Sequence, residues 1–247
     1  MPQRPDYGID APGVIRNLLV IGSALIVSGF VFPTIHLGSS VTILWSRSAF
    51  WPGASCLVGG LLMLLYAKWG KFRHRDKMLN MLRWRGDERV LDVGTGRGLL
   101  LIGAARRLTT GSGTGIDVWS TKDLSGNSLA RTQANIDVEG VQGRVDLKSD
   151  DARKLSFPDA TFDIVLSNLC IHNIPEAEGR AQACREISRV LKPGGIALIS
   201  DFINTGVYKK TLAASGLKVS RTSLNLLTFP QLRIVKAEKP HRASAAQ

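Results

Sequence analysis

The sequence predicts an α/β domain with a mostly parallel sheet, preceded by two membrane-spanning helices. Three observations lead to this prediction. From about residue 78 onward, short β-rich runs alternate with longer helical patterns, which is typical of βαβ units. Two long stretches near the N-terminus contain no Asp, Glu, Lys or Arg. A glycine-rich turn, GTGRG, joins the first β-rich run of the domain to the helical pattern that follows it.

Length and composition set the limits of the prediction. The 247 residues allow one catalytic domain with a modest extra segment, and 44% hydrophobic residues supply an aliphatic core. The net charge of +12 is compatible with nucleic acid, an anionic membrane surface or an acidic ligand. Cys56, Cys170 and Cys184 are odd in number and lack metal-ligand spacing. We therefore expect a reduced, cytosol-facing domain without a metal site.

The two uncharged stretches predict a membrane hairpin formed by residues 1–70. The spans are expected at about 15–35 and 48–67, with a break at Pro33 and a short loop at HLGSS. A secretory signal fits the first stretch poorly, because a second hydrophobic stretch follows and no convincing small-residue cleavage site is present. Two buried helices of a soluble domain are the remaining alternative, but so long an uncharged run is unusual there.

Basic residues predict the orientation of this hairpin. Five Lys or Arg residues lie between Lys68 and Lys77, whereas the loop between the spans offers only Arg47. The positive-inside rule therefore places both termini and the catalytic domain, residues 71–240, on the cytoplasmic side of an integral membrane protein. The same cluster suits anionic headgroups, which accounts for part of the charge without nucleic acid.

The alternating patterns predict seven strands and four helices. Five β-rich runs come first, at 89–94, 113–118, 144–149, 162–168 and 195–202. Helical patterns separate or follow them at 99–109, 128–140, 179–192 and 207–216. Two further strands are expected at 217–224 and 232–239, and the tail 241–247 is expected to be disordered.

The glycines of the turn indicate that a ligand lies against the backbone. Glycine adopts backbone angles that other residues avoid, and it lets a ligand approach closely. The helix that follows presents its N-terminal amides, which favour a negatively charged group. NAD-dependent enzymes use a similar turn, so the turn alone does not identify the ligand.

The run VLDVGTGRG, residues 90–98, resembles the D-x-G-x-G-x-G signature of the class I S-adenosylmethionine-dependent methyltransferases. Four further blocks resemble that family in order and spacing within residues 85–202: GIDV, SDDARKLSFPDATFD, FDIVLSNLCIHNI and REISRVLKPGGIALISDF. The resemblance implies a Rossmann-like, seven-stranded, mostly parallel sheet flanked by helices, with S-adenosyl-L-methionine as cofactor. The last two blocks look most like those of small-molecule and quinone methyltransferases.

The resemblance also implies roles for individual residues. Asp117 ends the second strand and would accept both ribose hydroxyls. Asp92 would lie near the cofactor's ammonium group or brace the glycine backbone, and both roles stay open. Asp151 would accept a hydrogen bond from the adenine amino group, with Asp150 as the alternative in register. The predicted cofactor-binding residues are Asp92, Gly94, Thr95, Gly96, Gly98, Asp117, Val118, Trp119, Asp151, Ala152 and Asn168.

Several of these roles have a plain alternative. Ala152 would donate a backbone hydrogen bond to the adenine ring, and Trp119 would either cover the adenine face or pack on a hydrophobic surface. Asn168 ends the fourth strand, where the methyl group should point to the acceptor. His172 is the candidate catalytic residue, as a base or by orienting the acceptor, although a lone loop histidine is more often structural. The family often has two consecutive histidines here, whereas the second position in this chain is Asn173.

Cys170 and Cys184 are expected to pack as small hydrophobic residues, because no activating motif accompanies them.

The membrane hairpin suggests a small, lipophilic acceptor such as a quinone, an isoprenoid, a lipid or a hydrophobic thiol. Nucleic acid is not expected, since SNLC lacks the Asn-Pro-Pro-aromatic motif of many nucleic-acid methyltransferases. An NAD-dependent oxidoreductase lacks support, because no Tyr-x-x-x-Lys pair is present. A non-catalytic nucleotide-binding or interaction module stays open, as do the oligomeric state and the atom methylated.

Overall fold

The computed structural model describes residues 4–38, 40–122, 124–220 and 223–241. The predicted disordered tail, apart from its first residue, lies outside these described residues. The chain divides into two compact units. One consists of Ile9–Lys71 and Lys122–Ser125, and the other contains the rest of the chain.

The smaller unit is a helical hairpin. Its helices are α1 (Pro12–Val31) and α2 (Trp45–Leu65), and a π-helical turn, Tyr66–Gly70, follows α2. Proline suits the first turn of α1, because its missing N–H has no partner there anyway. Both helices are long and apolar enough to cross a membrane. They begin about three residues before the predicted spans.

Small residues allow the two helices of the hairpin to approach closely. A Cβ added at Gly22 would lie 2.8 Å from the Gly53 carbonyl oxygen, and one at Gly60 would lie 3.0 Å from the Leu19 side chain. The predicted loop between the spans instead contains two short antiparallel strands, β1 (Ile35–Leu37) and β2 (Val41–Ile43). Left-handed Gly38 lies in the turn that joins them.

The larger unit is built on one eight-stranded sheet. Its strands are β3 (Arg89–Val93), β4 (Ser112–Asp117), β5 (Val145–Ser149), β6 (Phe162–Asn168), β7 (Leu191–Asp201), β8 (Lys218–Val219), β9 (Ser223–Asn225) and β10 (Leu232–Glu238). They are arranged β5-β4-β3-β6-β7-β10-β8, with β9 also paired to β10. The pairings among the first five strands of that order are parallel, and β10 runs antiparallel to β7. The predicted Rossmann-like, mostly parallel sheet is confirmed.

The prediction of seven strands was wrong in one place. The run at 217–224 was predicted as one strand, but it forms two short strands that pair with opposite ends of β10. β8 pairs with Ala237 and Glu238, whereas β9 pairs with Leu232 to Ile234. β-rich composition does not reveal such a division, because strand pairing is decided by distant residues.

Helices pack on this sheet and bury its faces. They are α3 (Lys71–Leu79), α4 (Leu99–Ala105), α5 (Leu129–Val138), α6 (Ala177–Val190) and α7 (Thr205–Ala214). The apolar face of α6, including Ala183 and Ile187, is fully buried. The basic run from Lys68 to Lys77 lies in the π-helical turn and in α3, and its Lys71 and His74 are almost completely buried. The run therefore supplies buried side chains as well as surface charge.

The topology fixes where a ligand can bind. Strand order reverses beside β3, because β4 lies on one side of it and β6 on the other. In open parallel sheets a crevice forms at such a point, outside the carboxyl ends of the strands. The residues that follow β3, β4 and β6 meet at this edge.

Candidate functional site

The glycine turn after β3 is held against the neighbouring strand. Gly94, Gly96 and Gly98 all have positive φ, between 53° and 85°. The Gly94 amide donates a hydrogen bond of 2.8 Å to the Ile116 carbonyl oxygen. A Cβ at Gly94 would lie 2.2 Å from the Cys170 Sγ atom. Only glycine fits at this position, for reasons of both backbone angle and space.

The carboxylate of Asp117 faces the glycine turn. Its Oδ2 atom accepts a hydrogen bond of 2.8 Å from the Gly96 amide. Its Oδ1 atom accepts from the Trp119 amide at 2.6 Å and from Asn127 Nδ2 at 3.3 Å. The turn and the acid are therefore fixed relative to one another, as a site that grips a sugar beside this loop requires. Asn127 was not predicted, because no local motif marks it.

Asp92 lies beneath the turn and is almost completely buried. Its Oδ2 atom accepts hydrogen bonds from Thr95 Oγ1 at 2.9 Å and from the Leu101 amide at 3.0 Å. These contacts tie Asp92 to the turn and to the first residues of α4, and its role toward the cofactor's ammonium group stays a prediction. Burial is the main cause that raises the pKa of Asp92 to about 7. Its Oδ1 atom has no hydrogen-bond partner among the described residues.

Both acids after β5 are engaged in their own loop. Arg153 Nη2 donates to Asp151 Oδ2 at 2.7 Å, and hydrogen bonding to Arg153 lowers the pKa of Asp151. Asp150 Oδ2 accepts from the Ser156 amide and hydroxyl, at 3.0 and 2.8 Å. Asp150 therefore closes a turn, whereas Asp151 is held by one partly exposed arginine. Asp151 remains the predicted adenine contact.

The remaining predicted cofactor residues lie at the same edge. Trp119 Nε1 donates a hydrogen bond of 2.8 Å to Ser149 Oγ, which ties the indole to the end of β5. Val118 is exposed beside it, and Ala152 packs partly against the core. Asn168 ends β6, next to the strand that leads into the glycine turn.

His172 forms a hydrogen-bonded pair with a buried acid that was not predicted. Its Nδ1 atom lies 2.9 and 3.1 Å from the two carboxylate oxygens of Asp201, the last residue of β7. Tyr208 Oη donates to the same carboxylate at 3.0 Å, and the Phe202 amide donates at 2.9 Å. Burial raises the pKa of Tyr208, so its hydroxyl keeps its proton. Asp201 therefore holds Nδ1 protonated, which leaves Nε2 as the acceptor.

A second histidine lies near this edge and is structural. His74 in α3 is almost completely buried, with Nε2 2.7 Å from Ser200 Oγ and Nδ1 2.9 Å from Asn225 Nδ2. Burial is the main cause that lowers its pKa to about 4, so the ring is neutral. The sequence does not reveal it, because His74 lies within a basic run whose charge predicts topology and contact with headgroups.

Asp201 could have been predicted from the sequence. It ends a strand within the block ISDF, as Asp117 ends a strand within GIDV, and acids in that position face the crevice. Tyr208 had no comparable signal, because its contact with Asp201 depends on the docking of α7.

Burial raises the pKa of the Cys170 thiol, which disfavours the thiolate that a nucleophile needs. The described residues contain no cluster of three or more His, Cys, Asp or Glu able to hold a metal.

The arrangement fits S-adenosylmethionine. Gly94, Gly96 and Gly98 hold the turn in left-handed backbone angles beside β4, and the Asp117 carboxylate that faces the turn would suit the ribose hydroxyls. The unpartnered Asp92 Oδ1 offers an acceptor beneath the turn for a donor on the ligand.

Comparisons with known proteins agree with this geometry. Residues 90–195 match the family described as a methyltransferase domain. A phosphatidylethanolamine N-methyltransferase of Cereibacter sphaeroides is 36% identical over 111 residues, 45% of this chain and 49% of that protein. A ubiquinone/menaquinone biosynthesis C-methyltransferase of Geobacter sulfurreducens is 34% identical over 130 residues, 53% of this chain and 48% of that protein.

A solved structure shares the fold. It is an S-adenosylmethionine-dependent methyltransferase from Aquifex aeolicus, with a TM-score of 0.55 and 21% identity, covering 66% of this chain and 88% of that one. The chain spans about half the length of the curated relatives that it matches. Residues 90–195 therefore match a methyltransferase-domain family, and the larger unit shares its fold with a solved S-adenosylmethionine-dependent methyltransferase; both similarities imply S-adenosyl-L-methionine as the cofactor.

Proposed function

We propose that this protein is a membrane-anchored enzyme that transfers a methyl group from S-adenosylmethionine to a small, lipophilic acceptor. The observation that carries the proposal is the Asp117 carboxylate, which faces the glycine turn and bonds to its Gly96 amide. An intact glycine turn with a carboxylate that faces it favours a site that binds its cofactor over a decayed, non-catalytic module.

Methyl transfer needs alignment more than acid-base chemistry. When bound, the cofactor supplies a methyl group on a sulfonium, whose sulfur keeps the bonding electron pair as the acceptor forms its bond to carbon. Asp117 would hold the ribose, Trp119 and Asp151 would flank the adenine, and Asn168 would lie at the methyl end. Fixing these contacts lowers the barrier by removing the entropy cost of alignment.

The pair formed by His172 and Asp201 would serve an acceptor that must lose a proton. Nε2 of His172 would take that proton, and Asp201 would stabilise the resulting imidazolium through Nδ1. In this role His172 is the catalytic residue and Asp201 is a positioning residue. Tyr208 would in turn hold Asp201, because its hydroxyl donates to the same oxygen that lies near His172.

The hairpin would anchor the enzyme in a bilayer. Its helices α1 and α2 are long and apolar, and Val27, Phe30 and Trp51 on them are largely exposed. The positive-inside rule favours a cytoplasmic location for the methyltransferase domain and for both termini. We expect the full-length chain to stay with membranes after washing with high salt or alkaline carbonate. Release under those washes would contradict an integral anchor.

Two similarities favour a lipophilic acceptor. The relatives from Cereibacter sphaeroides and Geobacter sulfurreducens are named for a phospholipid and for quinone biosynthesis, respectively. An anchored enzyme would meet such acceptors at the bilayer surface.

Methyl labelling identifies the acceptor. Membranes are incubated with enzyme and methyl-labelled cofactor, and the label is then measured in the lipid, protein, nucleic-acid and volatile fractions. We expect the label in the lipid fraction, and label confined to another fraction would contradict the acceptor class.

Calorimetry tests the cofactor separately. We expect the purified chain to bind S-adenosylmethionine and its demethylated product, and to give no heat with NAD. Binding of NAD alone would favour an oxidoreductase. Binding of S-adenosylmethionine without label transfer in any fraction would favour a non-catalytic module.

A further inference from the structure

The carboxyl edge of the sheet carries a cluster of exposed apolar side chains beside the His172 pair. We call this cluster the apolar lip, and it consists of Phe202, Ile203, Leu224, Leu226, Leu227 and Phe229. Leu226 and Leu227 are the most exposed, at 68% and 80%. Phe202 also contacts the imidazole of His172 edge-on, with ring centroids 4.9 Å apart. The lip therefore borders the side of the site where an acceptor would enter.

Strand register brings the two halves of the lip together. Phe202 and Ile203 follow the end of β7, whereas Leu226, Leu227 and Phe229 lie in the turn between β9 and β10. In the antiparallel pair, Arg233 of β10 lies opposite Asp201 of β7. The turn before β10 and the loop after β7 are therefore neighbours at one edge of the sheet.

The turn between β9 and β10 has its polar residues inside and its apolar residues outside. Asn225 and Thr228 are almost completely buried, and Asn225 Oδ1 accepts a hydrogen bond of 3.2 Å from the Leu227 amide. Thr228 Oγ1 donates to the Asn225 carbonyl oxygen and accepts from the Leu232 amide, each at 2.8 Å. An ordered turn thus holds two leucines in contact with solvent, which is costly unless something covers them.

The chain segment that carries the lip is basic. Residues 202–237 contain six Lys or Arg residues and no Asp or Glu. Arg233 is exposed and pairs in register with Leu224 of the lip, and Lys77 Nζ donates to the Leu224 carbonyl oxygen at 3.3 Å. Apolar side chains surrounded by basic ones are typical of surfaces that enter the interface of an anionic bilayer.

We propose that the apolar lip contacts the interfacial region of an anionic bilayer. The proposal rests on the membrane location proposed above, but it does not depend on methyl transfer. A bilayer explains both the apolar side chains, which would enter the acyl boundary, and the basic Arg233 and Lys77 beside Leu224, which anionic headgroups would attract. A soluble partner or a second copy of this chain would account for the apolar side chains but would not require the basic ones.

The test measures the depth of single positions in vesicles. Full-length protein is reconstituted in vesicles that contain phosphatidylglycerol, after labelling of an added cysteine with an environment-sensitive dye. The variants are Leu227→Cys in the lip, Gln142→Cys before β5 at the opposite edge, and Val27→Cys in α1. The unmodified chain measures labelling of the native cysteines. Vesicles with brominated acyl chains then report which dyes reach the lipid.

We expect brominated lipid to quench the dye at residue 227 and to leave the dye at 142 unquenched. Quenching at 227 should also decrease in vesicles of phosphatidylcholine alone. Quenching at 27 without quenching at 227 would overturn the proposal while leaving the membrane anchor intact. A blue shift at 227 in detergent, without quenching by brominated lipid, would overturn it in favour of a second copy or another protein.

Discussion

The cofactor half and the acceptor half of the site are built differently. In the cofactor half, Asp117 is bonded to the glycine turn through the Gly96 amide, and Asp92 is bonded beneath the turn to Thr95 and Leu101. In the acceptor half, the buried Asp201 holds His172, and exposed apolar residues lie next to this pair. A half fixed to the turn suits a ligand that is the same in every enzyme of the class. The exposed side chains of the acceptor half can be changed for one acceptor without disturbing the fold.

The largest expected effect tests the acceptor half. We expect His172→Gln to lower kcat by about 10²- to 10⁴-fold, the usual contribution of general base catalysis, and to leave cofactor affinity unchanged. Turnover is measured with the membrane acceptor found by methyl labelling. His36→Gln, at an exposed position of β1, is the matched control. Unchanged turnover in His172→Gln would remove this residue from the mechanism and leave alignment as the source of catalysis.

The variant Asp201→Asn tests whether Asp201 positions His172 or only stabilises the fold. Loss of the carboxylate removes the acceptor that holds Nδ1–H of His172, so kcat should fall while KM and the affinity for S-adenosylmethionine stay unchanged. A merely structural role would change KM and cofactor affinity together with kcat. Tyr208→Phe, which removes one donor to Asp201, should have a smaller effect.

The next largest expected effect tests the cofactor half of the site. We expect Asp117→Asn to weaken binding of S-adenosylmethionine by roughly 10²- to 10³-fold, because hydrogen bonds to a charged group contribute about 1.5–3 kcal/mol each. Calorimetry measures the affinity. Asp146→Asn on the neighbouring strand is the control, since Asp146 is exposed. If the two variants bind equally well, Asp117 does not hold the ribose.

The two halves also differ in how far the sequence predicts them. Asp92, the glycines and Asp117 lie within short motifs at strand ends, so local patterns locate them. Asp201 ends a strand too, but its contacts with His172 and Tyr208 join residues 29 and 7 positions away. The division of the run at 217–224 depends on β10, and the burial of His74 depends on the docking of α3. Contacts of this kind arise from tertiary packing, which a local pattern does not contain.

The third effect tests the rigidity of the turn. We expect Gly94→Ala to lower the free energy of unfolding by roughly 2–4 kcal/mol, from overlap with Cys170 and from a backbone angle that alanine avoids. Gly140→Ala is the control, because Gly140 has φ of +66° and open space around it. It should cost only about 1 kcal/mol. Denaturant unfolding in detergent measures both. Equal losses would show that Cys170 moves aside without strain.

The smallest effect, at most about 1.4 kcal/mol for each pH unit, is the pH dependence that Asp92 imposes. Its pKa is about 7 in the folded chain against an ordinary value of 3.8, so the native state binds the proton more tightly than the unfolded state. Between these values the contribution of Asp92 to the free energy of unfolding falls as pH rises, and it is constant above about pH 8. Asp92→Asn should therefore flatten the stability profile between about pH 4 and pH 7 relative to the unmodified chain. A slope that Asp92→Asn leaves unchanged, measured by denaturant unfolding without cofactor, would mean that Asp92 is ionised beneath the turn and that its free oxygen is hydrated. The turn would then rest on a solvated acid, and the contrast between a rigid cofactor half and an adaptable acceptor half would lose its basis.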